Sequence, residues 1–440
     1  MKQPRLTLVY GLGRSGLGTV RHLARLGWPA EWFDLRPQEA EAGAAGALGI
    51  GPAPLPLEAG RFDLVVAAPG VPIDHPDLDR LRAGGAEVIG EAELCYRTLP
   101  TPLIGITGTA GKGSTTAWIT RLLRGQGLDA REGGNTGTPL LDVAEGAEVA
   151  VVELSSFQLE RVRDLHLRVA VITNLDVDHL DRHGSVAAYH AAKLRILSNL
   201  GPGDAAVLPE SLEVMLPAGC RLYRVPPRGT SGGWLTGLDG EPLLDAAELP
   251  PGQHPQNAAS SLKAALAYLA LMGRPLDLHS LKRDLRDFHG LPGRFETVAE
   301  VRGTRFIEDS IATRTLAVKA ALEAAPAPVA WIVGGIDKGA AVEPLLDVVR
   351  EKVSLILAVG RDGPALAGRF APTPVRVIAE SDGDAALAAA CAAGLEAAPG
   401  GSVLLAPLGT SFDQFRDYRH RGEAFRLAAR ALAAWGGSQA

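Results

Sequence analysis

The stretch Gly105-Ile106-Thr107-Gly108-Thr109-Ala110-Gly111-Lys112-Gly113-Ser114 follows the short apolar run Pro102-Leu103-Ile104 and precedes a helix-like segment over residues 115–123. A glycine-rich turn between a strand and a helix aims backbone N–H groups at one spot, where the helix dipole also favours negative charge. Lys112 adds a full positive charge at that point. The segment therefore belongs in an α/β sheet and predicts a nucleotide-phosphate cradle built from Gly108, Thr109, Ala110, Gly111, Lys112, Gly113 and Ser114. Its match to Gly-x-x-x-x-Gly-Lys-Ser/Thr is incomplete, since Ile106 replaces the first glycine and Gly113 the hydroxyl residue.

A chain of 440 residues is long enough for two or three domains, each with its own core. The net charge of −6 offers no basic surface for nucleic acid, so an anionic partner must be a small molecule held by local Arg and Lys groups. Cys95, Cys220 and Cys391 lie far apart without metal-ligand spacing, which argues against a disulfide framework and a zinc site. With no signal-peptide pattern and no apolar run approaching about 18 residues, a soluble cytoplasmic protein with no membrane partner is expected.

Alternating strand-like and helix-like segments run the length of the chain. Strands are expected over residues 6–10, 30–34, 64–67 and 87–89, then 149–153 and 169–173, and finally 305–307, 330–333, 355–358 and 402–406. Residues 225–251, rich in Gly and Pro, read as hairpins or loops, and a helix resumes over 257–272. The third block begins after His289-Gly290. The expected fold class is α/β with three domains: a Rossmann-like domain over 1–93, a central phosphate-loop ATPase-type domain over 94–290 and a second Rossmann-like domain over 291–440.

Gly11-Leu12-Gly13-Arg14-Ser15-Gly16, with Asp34 about 18 residues beyond, taken alone reads as a dinucleotide fingerprint and suggests an NAD-dependent oxidoreductase. It identifies a phosphate-binding turn better than it identifies the ligand. Arg36 close behind Asp34, and the loop Ala67-Ala68-Pro69-Gly70-Val71, suit a nucleotide diphosphate equally well. Glu153-Leu154-Ser155-Ser156-Phe157-Gln158 and Asn174-Leu175-Asp176-Val177-Asp178-His179 end two strands with carboxylates and an imidazole. Mg²⁺ bridging to ATP phosphates needs one or two such carboxylates near Lys112. A strand-end salt bridge for Glu153 and a structural histidine for His179 remain open on residue type alone. Lys193, by the same standard, reads as a solvated helix lysine.

The chain resembles the Mur ligases over nearly its whole length. The motifs are those already quoted, together with Pro69-Gly70 and His75-Pro76, Gly133-Gly134-Asn135-Thr136-Gly137, Ala192-Lys193-Leu194-Arg195, Gly290-Leu291-Pro292-Gly293-Arg294-Phe295-Glu296, Asp309-Ser310, Gly334-Gly335 with Lys338, and Ser411-Phe412-Asp413-Gln414-Phe415. The resemblance implies an ATP-dependent ligase of cytoplasmic peptidoglycan-precursor synthesis that adds D-glutamate to UDP-N-acetylmuramoyl-L-alanine through an acyl phosphate, acting as a monomer. It further implies that Lys112, Glu153, His179 and Lys193 are catalytic. Glu153, His179, Ser114 and a carbamylated Lys193 would hold magnesium at two sites. ATP would also meet Asn257, Arg294 and Asp309. The uridine substrate would meet Gly13, Arg14, Ser15, Asp34, Leu35, Arg36, Gly70 and Asn135, and D-glutamate would meet Thr313, Lys338, Ser411 and Tyr418.

Four departures from the family pattern stand out. Gly113 replaces a magnesium-binding Ser or Thr, leaving Ser114 or a water in that place. Ile311 replaces a lysine, Asn257 sits one residue early, and Ala68 replaces a serine. The alternatives are another amide ligase of the same superfamily, including one of folylpolyglutamate synthase type, an oxidoreductase, or a non-catalytic nucleotide sensor. A folate ligase has no need of the residues ahead of the phosphate loop, and an oxidoreductase leaves Lys112, Glu153 and His179 without roles.

Overall fold

The computed structural model describes residues 1–436 apart from Thr136, Pro251, Gly252, His289 and Pro292, with backbone alone for 435–436. His289 at the expected third junction, Pro251 in the expected loop, and Thr136 and Pro292 of the quoted motifs lie outside the described residues.

Four short parallel strands, β1 (Thr7–Tyr10), β2 (Ala30–Phe33), β3 (Leu64–Ala67) and β4 (Glu87–Ile89), form a sheet in the order β2-β1-β3-β4. β1 and β3 are buried throughout; β3 reads as an unbroken apolar run and β1 as one but for Thr7, as suits strands covered on two faces. After β1 the chain turns through Gly11 at φ +97° into the helix Arg14–Leu26, whose Gly16 has its missing Cβ position 1.9 Å from the Gly11 carbonyl oxygen. Only glycine permits that approach of helix to strand.

The second sheet is fully parallel, in the order β10-β9-β8-β5-β7-β6, from β5 (Leu103–Thr107), β6 (Ala130–Gly134), β7 (Val149–Glu153), β8 (Val169–Ile172), β9 (Ala205–Pro209) and β10 (Arg221–Val225). β5, β7 and β8 are the strands legible in the sequence, whereas β9, equally interior and buried, was missed. β6 and β10 are edges whose sequences, Ala-Arg-Glu-Gly-Gly and Arg-Leu-Tyr-Arg-Val, lack an apolar run, so pairing rather than composition makes them strands. The expected hairpin appears as antiparallel β11 (Trp234–Thr236) and β12 (Pro242–Asp245), followed by the helix Pro255–Leu271.

The third sheet runs β13-β14-β18-β15-β16-β17, from β13 (Glu296–Val301), β14 (Thr304–Glu308), β15 (Val329–Gly334), β16 (Val353–Val359), β17 (Val375–Val377) and β18 (Ser402–Leu408). The sequence reading located the four inner strands and missed the two edges: β13, antiparallel to β14, and β17, all three residues of which are exposed. The three-domain α/β architecture holds in its sheets.

By contact the chain divides into two compact units. The first holds Met1–Leu249 with His254–Phe288, and the second Pro250–Gln253 with His289–Ala440. The first two sheets merge because they share one core: Leu12, Val20 and Leu94 belong to the same buried cluster as Leu140, Val152 and Leu154. Glu93 pins that junction. Its side chain is fully buried and accepts hydrogen bonds from the backbone N–H groups of Arg163 (2.7 Å), Asp164 (2.9 Å) and Leu165 (3.0 Å) and from Arg97 Nε (2.7 Å). Replacing it leaves three backbone donors without their acceptor and takes from the Arg97 guanidinium one of its three carboxylate partners. Glu93→Ala is expected to destabilise the first unit by about 3–5 kcal/mol, read as a lowered urea midpoint.

Candidate active site

β5 ends in the glycine-rich loop, and the helix Lys112–Gly125 starts at Gly111, φ +79°, with no side-chain cap on its first turn. An uncapped helix start leaves backbone N–H groups directed at whatever sits above the loop, the geometry that receives a phosphate. The loop is anchored from β8: Asn174 Oδ1 accepts from the N–H groups of Thr109 (3.1 Å) and Ala110 (2.9 Å), and Thr173 Oγ1 donates to the Ala110 carbonyl (2.6 Å). Gly108 has φ +151°, and a Cβ there would lie 1.9 Å from Thr173 Oγ1. Its carbonyl oxygen accepts from Lys112 Nζ (3.0 Å) and from Lys193 Nζ (2.7 Å). The expectation of a solvated Lys193 is therefore wrong: the side chain is buried and lies over the Tyr189 ring, Nζ 4.7 Å from its centroid. Tertiary packing of Val186–Leu194 against the loop overrides what residue type predicts.

Asn257, in the first turn of Pro255–Leu271, meets the same loop, with Oδ1 2.4 Å from the position a Cβ on Gly111 would take. The one-residue offset in the sequence thus leaves Asn257 beside the cradle. Gly113 is buried and Ser114 half-buried in the helix start.

At the end of β7, buried Glu153 accepts from Asn135 Nδ2 (2.8 Å), while the Asn135 N–H donates to the Glu153 carbonyl (2.9 Å). His179, at φ +50°, starts the short helix Leu180–His183, its ring centroid 4.9 Å from that of Phe157 and 6.2 Å from that of Tyr189. Sequence reasoning overlooked His183, which is buried between Ser156 Oγ (2.9 Å) and Glu160 (3.2 Å) and stacks on Phe157. Burial pushes its imidazole below the ordinary range. Among the described residues no three His, Cys, Asp or Glu side chains cluster as a metal cage. The Glu153 carboxylate is the kind of hard oxygen donor that Mg²⁺ takes, since that ion retains waters and binds through one or two protein carboxylates.

In the first sheet, Asp34 accepts from the N–H groups of Leu12 (2.8 Å) and Arg36 (2.8 Å). Its carboxylate thus shapes the turn that carries Gly13 and Arg14, while Leu35, 73 % exposed, and Arg36 project to solvent. Arg14 donates to the Gly137 carbonyl (3.0 Å), which links the turn to the second sheet. Two further arginines, not singled out in the sequence, grip the Gly70 loop: Arg161 and Arg182 both donate to the Val71 carbonyl (2.5 and 2.8 Å). Ser15 Oγ donates to Glu91, which also accepts from the Leu141 N–H (3.3 Å).

Within the second unit, Asp309 follows β14, and its carboxyl is pushed up to about 7, first by burial and then by neighbouring Glu308, with Arg294 opposing. Glu308 is fully buried and pairs with Arg426 (2.7 Å). Half-buried Thr313 and exposed Lys338 lie in the loops after β14 and β15. Ser411, buried after β18, accepts at its carbonyl from the Phe415 N–H (2.9 Å), and Tyr418 opens the helix Tyr418–Gly436. All four residues stand beyond the carboxyl ends of strands, where α/β sheets bind ligands.

These are the hallmarks of a nucleotide-dependent α/β enzyme, and comparison with known proteins gives its class. Residues 5–90 match the MurD-like N-terminal domain of the Mur ligases, residues 106–216 the Mur ligase middle domain, and residues 293–409 the Mur ligase glutamate ligase domain. The chain belongs to the Mur ligase family. It is 52% identical over 437 residues to the UDP-N-acetylmuramoylalanine--D-glutamate ligase of Thermus thermophilus, covering 97% of this chain and 98% of the relative. The enzyme of the same name from Deinococcus radiodurans is 53% identical over 430 residues, covering 97% and 92%. Among solved structures, the UDP-N-acetylmuramate-alanine ligase MurC of Thermotoga maritima shares the fold at a TM-score of 0.57 and 19% identity, covering 98% of this chain and 100% of that one. Gly11–Gly16 is thus the turn of a ligase domain and not a dehydrogenase fingerprint.

Two predictions come from this geometry. Gly108→Ala forces a Cβ into Thr173 and is expected to weaken ATP binding by at least about 1.4 kcal/mol, tenfold in Kd, measured by calorimetric titration. Glu91 is the second case: burial raises its carboxyl to about 7 from an ordinary 4.5. The folded chain therefore holds that proton more tightly than the unfolded chain. Its contribution to stability is full below pH 4.5 and is lost as pH rises through 7. Relative to Glu91→Gln, the wild-type melting temperature should fall between pH 5 and pH 8, and parallel profiles for the two proteins would refute this assignment.

Proposed function

We propose that this protein is the ATP-dependent ligase that joins D-glutamate to UDP-N-acetylmuramoyl-L-alanine in peptidoglycan-precursor synthesis. The observation that carries the reading is the uncapped helix start at Lys112, with Asn257 against its loop and Asn135 on Glu153, in a chain whose full-length relatives bear that enzyme's name. The domains divide as 1–93 for the uridine substrate, 94–290 for ATP and 291–440 for the amino acid. The protein works as a cytoplasmic monomer; among its described residues no helix is long and apolar enough to cross a membrane.

A carboxylate resists nucleophiles because its own charge repels them. Its oxygen attacks the γ-phosphorus of ATP, ADP leaves, and the resulting acyl phosphate has a good leaving group. The amine of D-glutamate then adds to the acyl carbon, and the tetrahedral intermediate collapses with loss of phosphate and a proton. Lys112, now on the Gly108 and Thr109 carbonyls (3.0 and 3.1 Å), turns toward the phosphates to offset their charge. Mg²⁺ at two sites would supply further positive charge, held by Glu153, His179, Ser114 and Lys193 as its carbamate. Asn135 orients Glu153. Gly13, Arg14, Ser15, Asp34, Leu35, Arg36 and Gly70 grip the uridine diphosphate end, and its remote binding energy aligns the reacting carboxylate. Arg294 and Asp309 take ATP, and Thr313, Lys338, Ser411 and Tyr418 take D-glutamate.

A carbamate at Lys193 forms when the neutral amine adds to CO₂ with loss of a proton. Burial beside Tyr189 supports it, because the carbamate replaces a desolvated ammonium with a group that magnesium can neutralise. Phosphate release should require both UDP-N-acetylmuramoyl-L-alanine and D-glutamate; release with another amino acid alone would point to a different member of the superfamily. Lys193→Ala should lose at least about a hundredfold in kcat. A carbamate resonance from ¹³C-bicarbonate should appear in the wild type and vanish in the variant.

A further inference from the structure

In the third sheet β14, β18 and β15 are neighbours, and the three loops that leave their carboxyl ends carry Thr313, Ser411 and Lys338. One side chain reaches all three loops. Arg421, in the helix Tyr418–Gly436, is 2 % exposed, and it donates through Nη2 to the Ser310 carbonyl (2.9 Å) and through Nη1 to the Gly409 carbonyl (3.1 Å). Nη1 also lies 3.2 Å from the position a Cβ on Gly335 would occupy, so the third loop passes directly against the guanidinium. The Gly335 and Gly409 loops are already tied by a two-way bridge between Ile336 and Thr410 (2.8 and 2.9 Å). The Ser310 loop joins that pair at its far end through the Leu408 N–H on the Ala312 carbonyl (3.1 Å), and near Ser310 through the guanidinium. Arg421 Nε has no hydrogen-bond partner among the described residues. A charged group sunk this deeply with one donor unmatched is a costly element for a core, where an apolar side chain of the same volume would pack as well. Its planar fork does what an apolar chain cannot: it sets two carbonyls at a fixed spacing.

We infer that Arg421 is a positioning residue of the amino-acid pocket, holding the loops of Thr313, Lys338 and Ser411 at the separation that fits D-glutamate. Arg421 touches none of the reacting groups. The inference rests on the pocket assignment proposed above, and its test separates the two.

Phosphate release by the full chain is measured for wild type, Arg421→Lys and Lys338→Ala, with D-glutamate, D-aspartate and the uridine substrate varied in turn. A lysine keeps the charge but cannot span both carbonyls. Arg421→Lys is expected to raise KM for D-glutamate about tenfold and to cut the preference for D-glutamate over D-aspartate about fivefold, with KM for the uridine substrate within about twofold. Unchanged D-glutamate kinetics in Arg421→Lys, alongside a raised KM in Lys338→Ala, overturn the role of Arg421 and leave the pocket standing. Unchanged kinetics in both variants overturn the pocket assignment and, with it, this inference. An equal rise in KM for both substrates makes Arg421 a general structural residue and also overturns it. Should Arg421→Lys fail to unfold cooperatively, Arg421→Gln, which retains a donor for one carbonyl, is measured in its place. Loss of cooperative unfolding in both variants assigns Arg421 to the core and ends the proposal.

Discussion

The carbonyl oxygen of Gly108 is where the glycine-rich loop and the buried lysine meet. It receives both the Lys112 and the Lys193 ammonium groups, and it points where it does because Gly108 adopts φ +151° against Thr173. That single backbone conformation sets the direction of the phosphate loop, the start of Lys112–Gly125, and the depth at which Lys193 lies. Asn174 closes the arrangement from β8 by accepting from two loop N–H groups. β5, β7 and β8 are adjacent in the sheet, so the cradle, Glu153 and Asn174 arise at one edge of the same three strands.

The same economy joins the first sheet to the second. Buried acids act as acceptors across the junction: Glu93 for the backbone of the turn at Arg163–Leu165, and Glu91 for the Leu141 N–H and the Ser15 hydroxyl. Arginines do the reverse and donate to carbonyls, with Arg161 and Arg182 on Val71 and Arg14 on Gly137. Charged side chains that serve buried backbone groups give directional contacts at fixed spacing, whereas surface ion pairs hold little geometry. The turn at Gly11–Gly16 is consequently built into the body of the second sheet, with Asp34 engaged in shaping it.

Most apolar inner strands were legible because a parallel strand buried on both faces must read as a hydrophobic run, although β9, also inner and buried, was missed. β6, β10, β13 and β17 were not, since edge strands take their conformation from hydrogen bonding to a neighbour distant in sequence. Among site residues, Lys112, Glu153 and Asp34 stood out by their places after strands. Lys193, His183, Glu91, Arg161 and Arg421 did not. Each is a polar residue on a helix or short turn whose burial depends on what packs over it, and local composition carries no trace of that.

By itself the sequence determined the α/β class, the order of its three sheets along the chain, the phosphate loop, and the glycines at 11, 16, 108 and 111, because each follows from local backbone sterics or from the period of apolar residues. Only the tertiary structure decided that the first two sheets share a core, that Lys193 is buried on Gly108, and that one guanidinium links three loops of the third sheet. Those outcomes depend on pairing residues from 12 to more than 100 positions apart. Such pairings are settled when whole elements dock and their buried polar groups find partners.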